Sequence, residues 1–121
     1  MSYDIELVDP VTRETLKTPD DSVHHIKGGT YQLGGTSDMW LNVTYNYAPQ
    51  FCKGFQDEEG IHLLEEKSGA DAIPMLTEAI ARLGDDVSED YWEATEGNAK
   101  RALHGILALC RMRPDGIIVI S

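Results

Sequence analysis

Short runs of alternating apolar and polar residues fill the first half of the chain, which is the pattern of β-strands. One run covers residues 5–8, and after the turn at Asp9-Pro10 residues 11–16 are predicted to return as the second arm of a hairpin. The clearest strand is predicted at residues 40–47. Its apolar side chains point to one face, and the other face carries Trp40, Asn42, Thr44 and Asn46.

In the second half the apolar residues recur at helical spacing. Phe51 and Phe55 indicate a first helix, and Asp71 is the predicted N-cap of a second one that ends at Gly84. A third helix is predicted over about residues 95–112, followed by a closing strand at residues 117–120. The sequence therefore predicts one domain, residues 1–121, of the α+β class: a small, mostly antiparallel sheet packed on about three helices.

Composition narrows the possible functions. Lys and Arg number 10 against 21 Asp and Glu, a formal net charge of −11, which makes direct nucleic-acid binding unlikely and favours a partner with a basic surface. No export signal is recognised, and the apolar run at residues 117–120 is too short to span a membrane. We therefore expect a cytoplasmic protein. Cys52 and Cys110 lie far apart and are expected to be buried thiols.

Seven short blocks of the sequence are distinctive in combination: residues 28–31, 34–36, 40–47, 73–76, 90–92, 95–103 and 112–116. In this combination, which covers about residues 3–116, the chain resembles a group of short, uncharacterised proteins of bacterial genomes, phages and prophages. The resemblance brings no activity and no site residue. It implies a small protein carried by mobile genetic elements.

Gly-Gly-Thr occurs twice, flanking residues 31–33. The two copies are Gly28, Gly29 and Thr30, and then Gly34, Gly35 and Thr36. Such loops can cradle an anion with backbone N–H groups, but Gly-Gly is also an ordinary hairpin turn. Neither copy belongs to a nucleotide-binding fingerprint, so the turn is the favoured interpretation.

Two further groups are candidate ligand sites. The face with Trp40, Asn42, Thr44 and Asn46 can hydrogen-bond a ligand base or a peptide edge, although a solvated sheet face tolerates the same residues. At the start of the third helix, Asn98, Lys100 and Arg101 would combine two cations with free helix N–H groups to hold an anion. The alternative is that these cations balance nearby glutamates.

A metal site or a catalytic set is not complete in the sequence. His24 and His25 lie near two aspartates, but the third histidine of a His-Asn-His nuclease order is missing, since Phe51 occupies its place. There is no cysteine pair for structural zinc. We accordingly expect no cofactor, and no residue is assigned a catalytic role.

Acidic residues crowd the loop before the third helix, next to an aromatic pair. The predicted partner-binding residues are Asp85, Asp86, Glu89, Asp90, Tyr91 and Trp92. Aromatic side chains can anchor an interface while carboxylates steer a basic partner. The alternatives are a merely solvated loop and a tryptophan that belongs to the core.

Three functional hypotheses follow. The leading one is an accessory protein of a phage or other mobile element that binds and inhibits or modulates a host protein or defence complex. The second is a module that sequesters a nucleotide-like anion, and the third is a small metal-dependent enzyme using His24 and His25. A homodimer is also predicted, because Ala102, Gly105 and Ala108 would allow close approach of another element and residues 117–120 are apolar on both faces.

Overall fold

The computed structural model describes residues 1–27 and 34–121. Three strands, β1 (Ser2–Val8), β2 (Trp40–Thr44) and β3 (Ile117–Ile120), form an antiparallel sheet in the order β2-β1-β3. Ile5 at the centre of β1 is paired with Leu41 on one side and with Ile120 on the other. The first and last parts of the chain thus meet in one sheet.

In the described part of the chain, three α-helices accompany the sheet: α1 (Ala48–Phe55), α2 (Gly69–Arg82) and α3 (Glu96–Met112). Single 3₁₀ turns occur at Tyr45–Tyr47 and Gly60–Leu64. The predicted α+β fold, with a small antiparallel sheet and three helices, is confirmed.

The helix ends follow side-chain capping. The Thr95 hydroxyl accepts a hydrogen bond from the Asn98 N–H at 3.0 Å and begins α3 where the sequence predicted. The prediction that Asp71 caps α2 was wrong. Ser68 is the cap, since its hydroxyl accepts from the Asp71 N–H at 3.1 Å and Asp71 itself lies in the first turn.

The core lies between one face of the sheet and the helices. Alternate residues of all three strands are buried on this face: Tyr3, Ile5, Leu7, Leu41, Val43, Ile118 and Ile120. Residues 102–110 of α3 supply much of the opposing surface. Within the described residues, no helix has the length and apolar character that crossing a membrane would require.

Two strand predictions were wrong in part: the strand at residues 40–47 is shorter than predicted, and residues 11–16 do not form a strand. β2 stops at Thr44, because the Thr44 hydroxyl accepts from the Asn46 N–H and starts the 3₁₀ turn. Residues 11–16 form no strand and contribute one bridge, between Thr15 and Val8. The Asp9 carboxylate accepts from two N–H groups of this segment, and Arg13 has a left-handed φ of 65°, so the backbone is turned away from extended geometry.

The two features that predicted a homodimer are both accommodated within one chain. A side chain at Gly105 would meet the Lys27 carbonyl oxygen at 3.1 Å and Leu41 Cδ2 at 3.3 Å, so the small-residue stripe of α3 receives a loop and a strand of the same chain. The outer edge of β3 is paired at Ile118, whose N–H and C=O bond to residues 67 and 66. The homodimer stays a prediction, without support from these features.

Candidate functional site

The loop between α2 and α3, residues 83–95, is fastened to α3 through one buried side chain. Asn98 is 4% exposed, and its Nδ2 donates to the carbonyl oxygens of Asp90 at 3.1 Å and Glu93 at 3.0 Å. Its Oδ1 accepts from the Ser88 N–H at 3.0 Å. Since both ends of the amide are engaged, Asn98 anchors the loop to α3, and the ligand-binding role that the sequence suggested for it stays a prediction.

The start of α3 is already occupied by carboxylates of the same loop. Asp86 Oδ1 accepts from the Gly97 N–H at 3.3 Å, and Asp85 Oδ1 lies 2.6 Å from Lys100 Nζ. The hydrogen bond and charge of Lys100 hold the pKa of Asp85 below its ordinary value. The expectation of free helix N–H groups and an available Lys100 was therefore wrong.

Tyr91 ties the same loop to the end of the sheet. Its hydroxyl oxygen accepts from the Thr44 N–H at 2.7 Å, and its carbonyl oxygen accepts from the Tyr47 hydroxyl. The Tyr47 and Tyr91 rings meet edge to face with centroids 5.5 Å apart. Burial raises the pKa of Tyr47, so its phenol stays protonated and acts as a donor.

Trp92 points outward, next to this inward-facing tyrosine. It is 59% exposed, but its N–H donates to Asp90 Oδ1 at 3.0 Å and its carbonyl oxygen accepts from Asn46 Nδ2 at 2.9 Å. The indole packs on Tyr91 with centroids 4.9 Å apart. The interpretation of Trp92 as a core residue was wrong, and the predicted aromatic pair divides into an anchor and an exposed ring.

The predicted polar ladder on β2 does not form one ligand face. Trp40 Nε1 and Asn42 Nδ2 both donate to Asp4 Oδ1, at 3.1 and 2.9 Å, across the pairing of β1 with β2. Thr44 is 1% exposed, and Asn46 lies beyond the strand, beside Trp92. The alternating apolar and polar residues of β2 could not predict the contact with Asp4, because Asp4 lies on β1 and is brought opposite Asn42 by strand pairing.

The second Gly-Gly-Thr copy is a turn. Gly34 and Gly35 have left-handed φ values of 78° and 75°, and the N–H and C=O of Thr36 both bond to the backbone of His24. This agrees with the turn interpretation. The first copy, Gly28, Gly29 and Thr30, lies outside the described residues.

His24 has no nitrogen left for a metal. Its Nδ1 accepts from the Ile26 N–H at 3.2 Å, which assigns the proton to Nε2, 2.6 Å from the Asp38 carbonyl oxygen. Over residues 1–27 and 34–121, no group of three or more histidine, cysteine or acidic side chains is arranged to hold a metal ion.

Two hollows border the N-terminal half of α3 and share the side chain of Arg101. The first, of about 130 Å³, is lined by Lys27, Tyr47, Ser88, Glu89, Tyr91, Asn98 and Arg101. The second, of about 220 Å³, is lined by Asp85, Val87, Gly97, Lys100, Arg101 and His104. Sequence reasoning named Arg101 but missed Tyr47, Ser88 and His104, which only the packing of the loop on α3 brings beside it.

Three predicted clusters thus come together: the end of β2, the acidic aromatic loop and the start of α3. Compared with known proteins, the chain matches no family model, and neither a curated protein nor a solved structure is significantly similar to it. The functional argument therefore depends on the geometry of this region.

Proposed function

We propose that this chain acts by binding a protein with a basic surface, and that Trp92 is the central anchor of the interface. In keeping with the resemblance described above, the partner would be a host protein or defence complex that a mobile-element accessory protein inhibits or modulates. The observation that carries the proposal is an exposed indole on a fixed backbone.

The fixed backbone matters because ordering a loop on binding costs conformational entropy. Hydrogen bonds to Asp90 and Asn46 already hold the peptide groups of Trp92 on both sides. The ring rests on Tyr91, which is in turn bound to Thr44. An exposed tryptophan held in this way gives a partner a large apolar contact with little additional ordering.

Carboxylates without an ion pair lie in the same loop as this anchor. None of Asp86, Glu89 and Asp90 takes part in an ion pair among the described residues, which include every Lys and Arg of the chain. With a net charge of −11, the surface attracts a basic partner and accelerates its association. We therefore expect the partner to carry Lys or Arg side chains around an apolar pocket that receives the indole.

The test is a pull-down from host lysate that compares the proteins captured by three baits: the wild type, Trp92→Ala and Val11→Ala. Val11 is a matched control, because it is an apolar residue 86% exposed in the turn after β1. The protein that is lost with Trp92→Ala and kept with Val11→Ala is then purified and titrated. We expect Trp92→Ala to weaken its binding by about 2 kcal/mol or more, roughly 30-fold in Kd.

The acidic residues of the loop are not equally suited to a test of charge. Asp85 and Asp86 bond to Lys100 and Gly97, so neutralising them disturbs the loop itself. Glu89→Gln is the cleaner variant, and it should slow association and reduce its salt dependence while leaving dissociation nearly unchanged. Captured proteins that bind all variants equally, with circular dichroism showing each variant folded, would refute the proposal.

A further inference from the structure

The two hollows beside α3 suggest a second site, separate from the exposed face of Trp92. We infer that together they bind a small molecule of the nucleoside monophosphate kind, with its base in the first hollow and its phosphate held by Arg101 in the second. The inference depends on the walls of the two hollows and on the one cation common to both.

Lys100 and Arg101 line the second hollow, and of these two Arg101 is available for an oxyanion, because Lys100 is paired with Asp85. Six of the ten Lys and Arg side chains form ion pairs with carboxylates, whereas Arg101 has neither an ion pair nor a hydrogen bond among residues 1–27 and 34–121. Its side chain lines both hollows, and in the first one Tyr47 lines the wall with it. A guanidinium recognises phosphate through paired N–H donors.

The walls of the first hollow suit a flat, nitrogen-containing ring. Tyr47 and Tyr91 contribute aromatic surface, and the Glu89 carboxylate is an acceptor for a ring or exocyclic N–H. Its volume of about 130 Å³ is close to the roughly 150 Å³ of an engineered cavity that holds benzene. The hollow therefore accommodates one ring and leaves the sugar and phosphate outside it.

The second hollow suits the anionic end. Arg101 continues into it, and His104 and Lys100 lie beside it on the same helix. Asp85, which also lines it, is already neutralised by Lys100 at 2.6 Å. The Lys100–Asp85 pair leaves Arg101 as the side chain of this hollow whose positive charge is not balanced by an ion pair among the described residues.

The test is calorimetric titration of the full chain with AMP, GMP, CMP and UMP, with the four nucleosides and phenyl phosphate as comparison compounds. We expect at least one monophosphate to bind with a Kd below about 1 mM, and its nucleoside to bind about tenfold more weakly. Arg101→Gln should weaken the monophosphate by a similar factor. Arg111→Gln is the matched control, since Arg111 is an exposed arginine of the same helix that lines neither hollow.

Three results would overturn the inference. The first is absence of binding by all four monophosphates up to about 10 mM. The second is binding that Arg101→Gln and Arg111→Gln weaken equally, which indicates general charge attraction. The third is phenyl phosphate binding as tightly as the best monophosphate, which removes the role of the base. Failure here leaves the protein-binding proposal intact, because that proposal depends on Trp92.

Discussion

Asn98→Ala should loosen the loop that carries both proposed sites. The side chain makes three hydrogen bonds to backbone groups of residues 88, 90 and 93. The Asp90 carbonyl keeps a second bond from the Glu93 N–H, and the Glu93 carbonyl keeps one from the Thr95 N–H. Only the Ser88 N–H therefore loses the one partner that the structure gives it.

The expected magnitude follows from this difference. Loss of three hydrogen bonds, at about 1 kcal/mol each, would lower the free energy of unfolding by at most about 3 kcal/mol. The higher helix propensity of alanine offsets about 0.5 kcal/mol of this loss. We expect a loss of about 2–3 kcal/mol in the free energy of unfolding, or a decrease in Tm of about 10 °C. Asn46→Ala is the matched control. It removes one exposed bond to the same loop and should cost less than about 1 kcal/mol.

Urea unfolding followed by circular dichroism measures both variants. The midpoint should shift with an unchanged slope, because the surface exposed on unfolding stays the same. If Asn98→Ala remained within about 0.5 kcal/mol of the wild type, the claim that this amide anchors the loop would be wrong.

Two further predictions concern the same helix. Gly97→Ala should lower the Tm even though alanine favours helix, because the new Cβ would lie 2.7 Å from the backbone of Asp86 and Val87. Gly84→Ala is the control and should be tolerated, since its new Cβ would meet nothing closer than 3.6 Å. If both variants melted at the same temperature, the close contact at Gly97 would be contradicted. Burial raises the pKa of Cys110 to about 12, so a thiol reagent at pH 8 should modify Cys52 in the native protein and reach Cys110 only on unfolding, as mass spectrometry of the labelled chain will show.

Local sequence signals predicted the three helices and the three strands of the sheet, but also a strand at residues 11–16 that does not form, and they placed the end of β2 too late. Helix α3 could be predicted because Thr95 supplies a cap and the apolar residues behind it repeat at helical spacing. The strand at residues 40–47 was predicted too long, because alternation continues through Tyr45 and Tyr47 while the backbone already turns at Thr44. The Thr44 side-chain cap competes locally with extended backbone geometry, and the alternation of apolar and polar residues does not show which of the two will form.

The candidate site was harder to predict, since its residues act through long-range contacts. Asp85, Asp86, Glu89 and Asp90 look equivalent in sequence, yet Asp85 pairs with a lysine 15 residues away and Asp86 with the N–H of Gly97. The amide of Asn98 gave no local sign that it would bind three loop peptide groups. The glycine at position 97 was the one available signal, because a helical glycine often marks close approach of another backbone.

The position of the loop is compatible with the proposed anion site in a chain that is acidic overall. Asp85 and Asp86 direct their charge into the start of α3 and onto Lys100, where the helix dipole and the ammonium group stabilise it. Glu89 and Trp92 remain directed toward ligands or solvent, and Arg101 keeps a positive charge that no carboxylate among the described residues neutralises. Two side chains on one anchored loop and helix thus test the two proposals separately. Trp92→Ala should leave nucleotide titrations unchanged, and Arg101→Gln should leave capture of the protein partner unchanged.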